Sequence, residues 1–101
     1  MDPEGLPVNL SDMEISKAFG AILRRNRENK GLSQEELALN CGLDRTFISL
    51  LERGLRQPSL STVFTVAGEL GLSANELVRQ VERYQKRGSR KTLPRMPSSR
   101  L

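Results

Sequence analysis

Apolar residues recur along most of this chain at three- and four-residue intervals, and no segment shows the strict alternation of a half-buried strand. Ile15, Phe19, Ile22 and Leu23 form one stripe, and Leu37 and Cys41 a second. Ile48 and Leu51 make a third, Val63, Phe64, Ala67 and Leu70 a fourth, and Leu77 opens a fifth. The pattern predicts five helices, at about 12–29, 34–40, 45–53, 60–70 and 74–86, whose inward faces share one core. The fold class is all-α.

The helix boundaries are well signed. Ser11 with Glu14, Ser33 with Glu36 and Ser73 with Glu76 each spell S-x-x-E. In such a capping box the Ser hydroxyl and the Glu carboxylate satisfy amides that no helical carbonyl can reach. Leu10 with Ile15, Leu32 with Leu37 and Leu72 with Leu77 bracket these boxes as hydrophobic staples. Asp44 stands where it would cap the third helix, and Ser59, after Pro58, the fourth. Gly31, Gly54 and Gly71 mark stops, because a helix commonly ends on a left-handed residue.

The segment from Gln34 to Arg53, QEELALNCGLDRTFISLLER, reads as a helix-turn-helix. Ala38 is small where two helices cross closely, and Gly42 allows a tight turn through positive φ. Leu37, Cys41, Ile48 and Leu51 fall on the inward faces. Such a pair offers its second helix to DNA, which makes DNA binding the expected function.

Composition narrows the alternatives. The chain has 101 residues, one Cys, no His and no Trp. A lone Cys41 excludes an internal disulfide, and without His no zinc site is expected. Cys41 is read as a small buried thiol at a helix end. Catalysis lacks its parts as well: there is no Gly-rich phosphate loop and no cluster of carboxylates, so no enzyme, cofactor or small-molecule ligand is expected. No apolar run approaches the roughly 20 residues a membrane helix needs, so no membrane partner is expected. The opening MDPEGLPVNLSDME is acidic and lacks an apolar stretch, unlike a signal or transit peptide. A core this poor in aromatics is marginal, and dimerisation would support it.

The net charge of +4 is unevenly spread. Residues 1–14 carry four acids and no base, residues 84–101 carry six bases and no acid, and the middle is nearly balanced. The expected organisation is an acidic arm over 1–11, a DNA-binding domain over 12–86 and a basic tail over 87–101 too polar to fold alone. The tail reads either as a solubilising end or as a sequence-independent phosphate contact.

Residues 17–80 resemble the phage repressor and Cro family of helix-turn-helix regulators, often called the XRE family. The run LDRTFISLLERG followed by RQPS is especially similar to bacterial regulators, including the controller proteins of restriction–modification systems. The resemblance implies a compact five-helix bundle of the phage-repressor DNA-binding type. It also implies a homodimer that binds double-stranded, near-palindromic operator DNA and represses transcription, its own included. Its expected location is the bacterial cytoplasm, at the nucleoid. The competing reading is a protein-interaction adaptor or antitoxin-type module, which needs no exposed reading residues.

Matched to the family, Arg45 and Thr46 fall at the principal base-reading positions, with Ser49 and Leu50 one turn on. Arg45 suits guanine O6 and N7, although a phosphate or Asp44 would also satisfy it. Phe47 is expected to face outward, against a sugar or thymine methyl, or else to pack beside the first helix. Ser33 and Gln34 sit at a helix start that favours phosphate, and Gln34 matches a backbone-clamping position. Arg53, Arg56 and Gln57 suit a second phosphate or a solvated loop. Arg27 and Glu52 match a structural salt bridge, with Arg24 and Arg25 as alternatives for the pairing. Leu72, Leu77, Val78, Val81 and Tyr84 form the expected dimer surface, unless Leu77 and Val81 simply close the core.

Overall fold

Five helices follow one another with short connections: α1 (Leu10–Asn29), α2 (Gln34–Cys41), α3 (Arg45–Glu52), α4 (Leu60–Glu69) and α5 (Ala74–Ser89). The computed structural model describes residues 10–89, and side chains from 14 to 86. Among the described residues there is no strand. Most of the acidic arm, most of the basic tail, and the side chains of the expected Leu10 staple and Ser11 cap lie outside the described residues. Because α1 begins at Leu10, the Ser11 backbone is inside the helix rather than ahead of it.

The starts of α2 and α4 follow the sequence signals, and those of α3 and α5 follow them in part. Ser33 Oγ accepts from Glu36 N at 2.9 Å, and Ser33 N donates to Glu36 Oε1 at 2.8 Å, which completes the box at α2. Ser59 Oγ accepts from Thr62 N at 3.1 Å and caps α4. Ser73 Oγ accepts from Glu76 N at 3.0 Å, but the Glu76 carboxylate is drawn along α5 to Gln80, Arg79 and Arg83. Asp44 has the extended backbone of a cap, yet its side chain makes no capping hydrogen bond. The Asp44 carbonyl instead starts α3, accepting from Ile48 N at 3.1 Å.

Four helices share one ending. After a glycine at positive φ, the next residue's amide reaches back five residues: Leu32 to Arg27, Leu43 to Ala38, Leu55 to Leu50 and Leu72 to Ala67. That following residue is a leucine each time, and Leu32, Leu43 and Leu72 lie against the core. Leu55 is the exception, at 60% exposed. At Gly42 an added Cβ would meet nothing within 4 Å, so the demand for glycine comes from its φ of 70° alone. This residue turns α2 into α3 within the few residues available.

The core gathers where the helices cross. α1 packs against α3 and α5, α2 against α3 and α4, and α4 against α5. Ile22, Leu23, Leu37, Ile48, Leu51, Val66 and Leu77 are fully buried, each worth about 1.5–3 kcal/mol relative to an exposed side chain. Two expected core residues are elsewhere: Ile15 is 41% exposed and Phe64 61% exposed. On α4 the buried face runs through Val63, Val66, Ala67 and Leu70, and Phe64 lies one residue's rotation off it. Ala18, Ala38 and Val81 complete the interior.

Candidate nucleic-acid interface

The second helix of the pair, α3, separates its residues sharply by face. Ile48 and Leu51 are buried, while Arg45, Thr46 and Arg53 are exposed and Ser49 and Leu50 half-buried. At 100° per residue, those last five occupy one continuous outer strip. The four residues expected to read bases therefore share one surface, continued by Arg53. Leu50 is the most apolar member.

What holds this strip is a buried ion pair with an amide attached. Arg27 Nε donates to Glu52 Oε2 at 2.6 Å and Arg27 Nη2 to Glu52 Oε1 at 3.0 Å, a two-pronged contact from α1 to the end of α3. The side chains are 10% and 3% exposed. Arg27 Nη1 donates to the Leu32 carbonyl at 2.7 Å, so the guanidinium also fixes the α1–α2 connection. The hydrogen bond to Glu52 is the main influence raising the Arg27 pKa, opposed by desolvation. Arg24 is engaged elsewhere, with Glu28 at 3.0 Å.

Gln34 belongs to the same cluster. Its Nε2 donates to Glu52 Oε1 at 3.0 Å, so one carboxylate joins the start of α2, the end of α3 and the last turn of α1. Gln34 and Ser33 also stand where the first-turn amides of α2 point outward, an arrangement suited to an anion. Within that turn Glu36 is folded back into the cap. Beyond α3, Arg56 lies over the Phe47 ring at 5.7 Å from its centroid. Phe47 is thus corrected from an outward-facing residue: it is half-buried and packs against the core. Gln57 is exposed and engaged in an interaction of its own.

Sequence reasoning missed Gly20. A Cβ on it would collide with the Leu51 carbonyl oxygen and lie 2.6 Å from that of Glu52, so α1 rests directly on the last turn of α3. The available signal was a glycine inside an otherwise strong helical pattern, where it costs helix stability and implies a packing reason. Asn26 was missed too; its Nδ2 donates to the Ile22 carbonyl at 2.9 Å and to Gln80 Oε1 at 2.8 Å, tying α1 to α5.

The expected dimer surface needs correction. Leu77 is fully buried and Val81 only 9% exposed, so both fill the core of a single chain. Leu72 is half-buried against the same core. Val78 and Tyr84 remain open, at 49% and 43% exposed, among Arg79, Glu82, Arg83 and Lys86. Cys41 is half-buried rather than buried; burial first, and Glu69 second, push its thiol pKa up. Among the described residues no group of three Cys, Asp or Glu is gathered as metal ligands would be, and no helix is long and apolar enough to cross a membrane.

A glycine-turned helix pair that presents a polar strip from a braced second helix defines a helix-turn-helix module. The helix-turn-helix family model matches residues 23–77, more than half of the chain, and the chain belongs to that family. It is similar to the Neisseria hypothetical transcription factor of Neisseria meningitidis, 45% identical over 74 residues that span 72% of this chain and 70% of the relative. Among solved structures, the restriction–modification controller protein C.AhdI from Aeromonas hydrophila superposes with a TM-score of 0.60 at 44% identity. That match covers 61% of this chain and 94% of the other. The controller protein C.Esp1396I, solved as a tetramer with its natural 35 base-pair operator, superposes with a TM-score of 0.65 at 25% identity, over 70% of this chain and 93% of that one.

Proposed function

We propose that this chain is a DNA-binding transcriptional regulator that acts as a homodimer, laying one α3 per protomer into successive major grooves of a near-palindromic operator. The observation that carries this reading is the outer strip of α3, with Arg45 and Thr46 exposed on a helix braced by Arg27, Glu52 and Gln34. Arg45 is assigned to guanine O6 and N7, and Thr46 to a thymine methyl or a hydroxyl-accepting edge. Ser49 and Leu50 meet the groove one turn later. Ser33 and Gln34, at the start of α2, and Arg53 and Arg56, after α3, take flanking phosphates, which set register without reading sequence. The chain supplies no chemistry of its own; it works from the bacterial cytoplasm by occupying DNA, as a repressor that includes its own gene among its targets.

The resemblance to a controller protein solved on its operator supports this class of partner. The test is selection of bound molecules from random duplex DNA by the full chain. A two-fold symmetric motif, with half-sites about one helical turn apart, is the expected result. Recovery of no enriched sequence would favour a protein-interaction adaptor instead.

A further inference from the structure

α1 touches the end of α3 at a second place, beyond Gly20. Gly54 follows Arg53 with a φ of 75°, and a Cβ built on it would lie 2.8 Å from Lys17 Cγ and 3.0 Å from Lys17 Cα. The stem of Lys17 therefore lies against the backbone that leaves α3, while the residue as a whole stays exposed. Arg53 and Arg56, on either side of Gly54, are exposed as well. Among the described residues none of these three cations has a carboxylate within ion-pair distance. Glu52, the acid next to them in the chain, is 3% exposed and taken up by Arg27 and Gln34.

The position of this group relative to the start of α2 says what it faces. Lys17 and Arg27 are ten residues apart on α1, about 15 Å along its axis. Arg27 is joined through Glu52 to Gln34, whereas Lys17 adjoins Gly54. The end of α3 is thus flanked by Ser33 and Gln34 on one side and by the Lys17 group on the other. That separation is close to the width of the major groove, about 12 Å, so a helix lying in the groove would meet a wall of phosphates on each side. A lone lysine at this place would serve α3 itself, by facing its last carbonyls. Three cations gathered at one loop without an acid instead repel each other, and a polyanion relieves that repulsion. Lys17 also precedes residues 23–77, the part of the chain that the family model matches.

We propose that Lys17, from α1, joins Arg53 and Arg56 in a second phosphate site, on the DNA strand opposite the one held at the start of α2. This rests on the DNA-binding reading and deepens it, because it brings α1 into an interface otherwise drawn from α2, α3 and the loop after α3.

The experiment is a salt titration of affinity for one selected operator, using the full chain as wild type, K17M, K17R and R25A, with urea unfolding of each. K17M keeps the stem against Gly54 and removes only the charge. It is expected to lower the slope of log affinity against log salt by about 0.9 per bound protomer, and to weaken binding by about 5-fold per protomer near 0.15 M salt. Preference among single-base operator variants is expected to be unchanged, since a phosphate contact does not read bases. K17R is expected to keep the wild-type slope. R25A removes the same charge from the side of α1 that lines a groove with α5, and is also expected to keep it. A wild-type slope in K17M, or an equal fall in R25A, would overturn the proposal. A lower urea midpoint in K17M with an unchanged slope would likewise overturn it, and would leave Lys17 as a support for the end of α3. A wild type that selects an operator while K17M keeps its slope defeats this site alone, whereas a wild type that binds no duplex defeats the DNA reading and the site together.

Discussion

The outer strips of α3 and α4 are built alike and equipped oppositely. Each belongs to a short helix with a cap residue in extended conformation and a glycine–leucine ending. Outwardly, α3 shows Arg45, Thr46, Ser49 and Arg53, while α4 shows Leu60, Phe64, Thr65 and Gly68. Inwardly they also differ. α3 is tied to α1 and α2 through an ion pair and an amide hydrogen bond, whereas the buried face of α4 is wholly apolar. Local helix signals thus give the frame, and the residues left outside it give each strip its character: polar and cationic on α3, largely apolar on α4 as far as Gly68.

The difference beneath the strips makes the sharpest prediction. Glu52→Ala removes the acceptor of two Arg27 bonds and of Gln34, leaving a buried guanidinium with only the Leu32 carbonyl and the more distant Glu28 carboxylate. The expected loss is about 3–5 kcal/mol of folding stability, measured by urea unfolding, and it is large enough to unfold much of so small a domain. Stability close to wild type would mean that α3 is not braced by this pair. Gly20→Ala probes the same docking from the other side. Its methyl group would push α1 away from the last turn of α3, for an expected cost of about 1–3 kcal/mol. If thermal unfolding shows no loss, the close approach of the two helices is not required.

Much of this frame was legible in the residues. The capping serines, the glycine stops and the helical spacing located all five helices to within a few residues, because these signals act through local geometry. The outer strip of α3 was legible for the same reason. What spacing did not resolve was which flanking apolar residues turn inward. Phe64 and Val66 both fit a helical stripe, and only the direction of α2 and α5 relative to α4 decides between them. By spacing, Leu77 and Val81 fit core and partner surface equally, and the packing of α1 and α4 against α5 places both in the core. Gly20 and the Gln34 bond to Glu52 depend on contacts between helices distant in sequence, which no local pattern encodes.

The dual position of Gln34 sets a smaller effect. Gln34→Ala is expected to lower affinity for every duplex similarly, by about 1 kcal/mol, since phosphate contacts position without reading bases. Binding isotherms on a strong and a weak operator variant are the measurement. A changed ratio between the two would show that Gln34 sets the angle of α3, through Glu52, more than it holds the backbone.

On the proposed function the outer strip of α3 reads sequence, and substitution of Arg45 bears on this without intermediary. Binding of wild type and Arg45→Ala should be compared across a complete set of single-base operator variants, at one salt concentration. A loss of about 1–3 kcal/mol on the best operator is expected, with a preference that flattens at one base pair per half-site and is unchanged at the other positions. An equal loss on every variant, with the full wild-type preference retained, would contradict it and leave Arg45 as a phosphate contact.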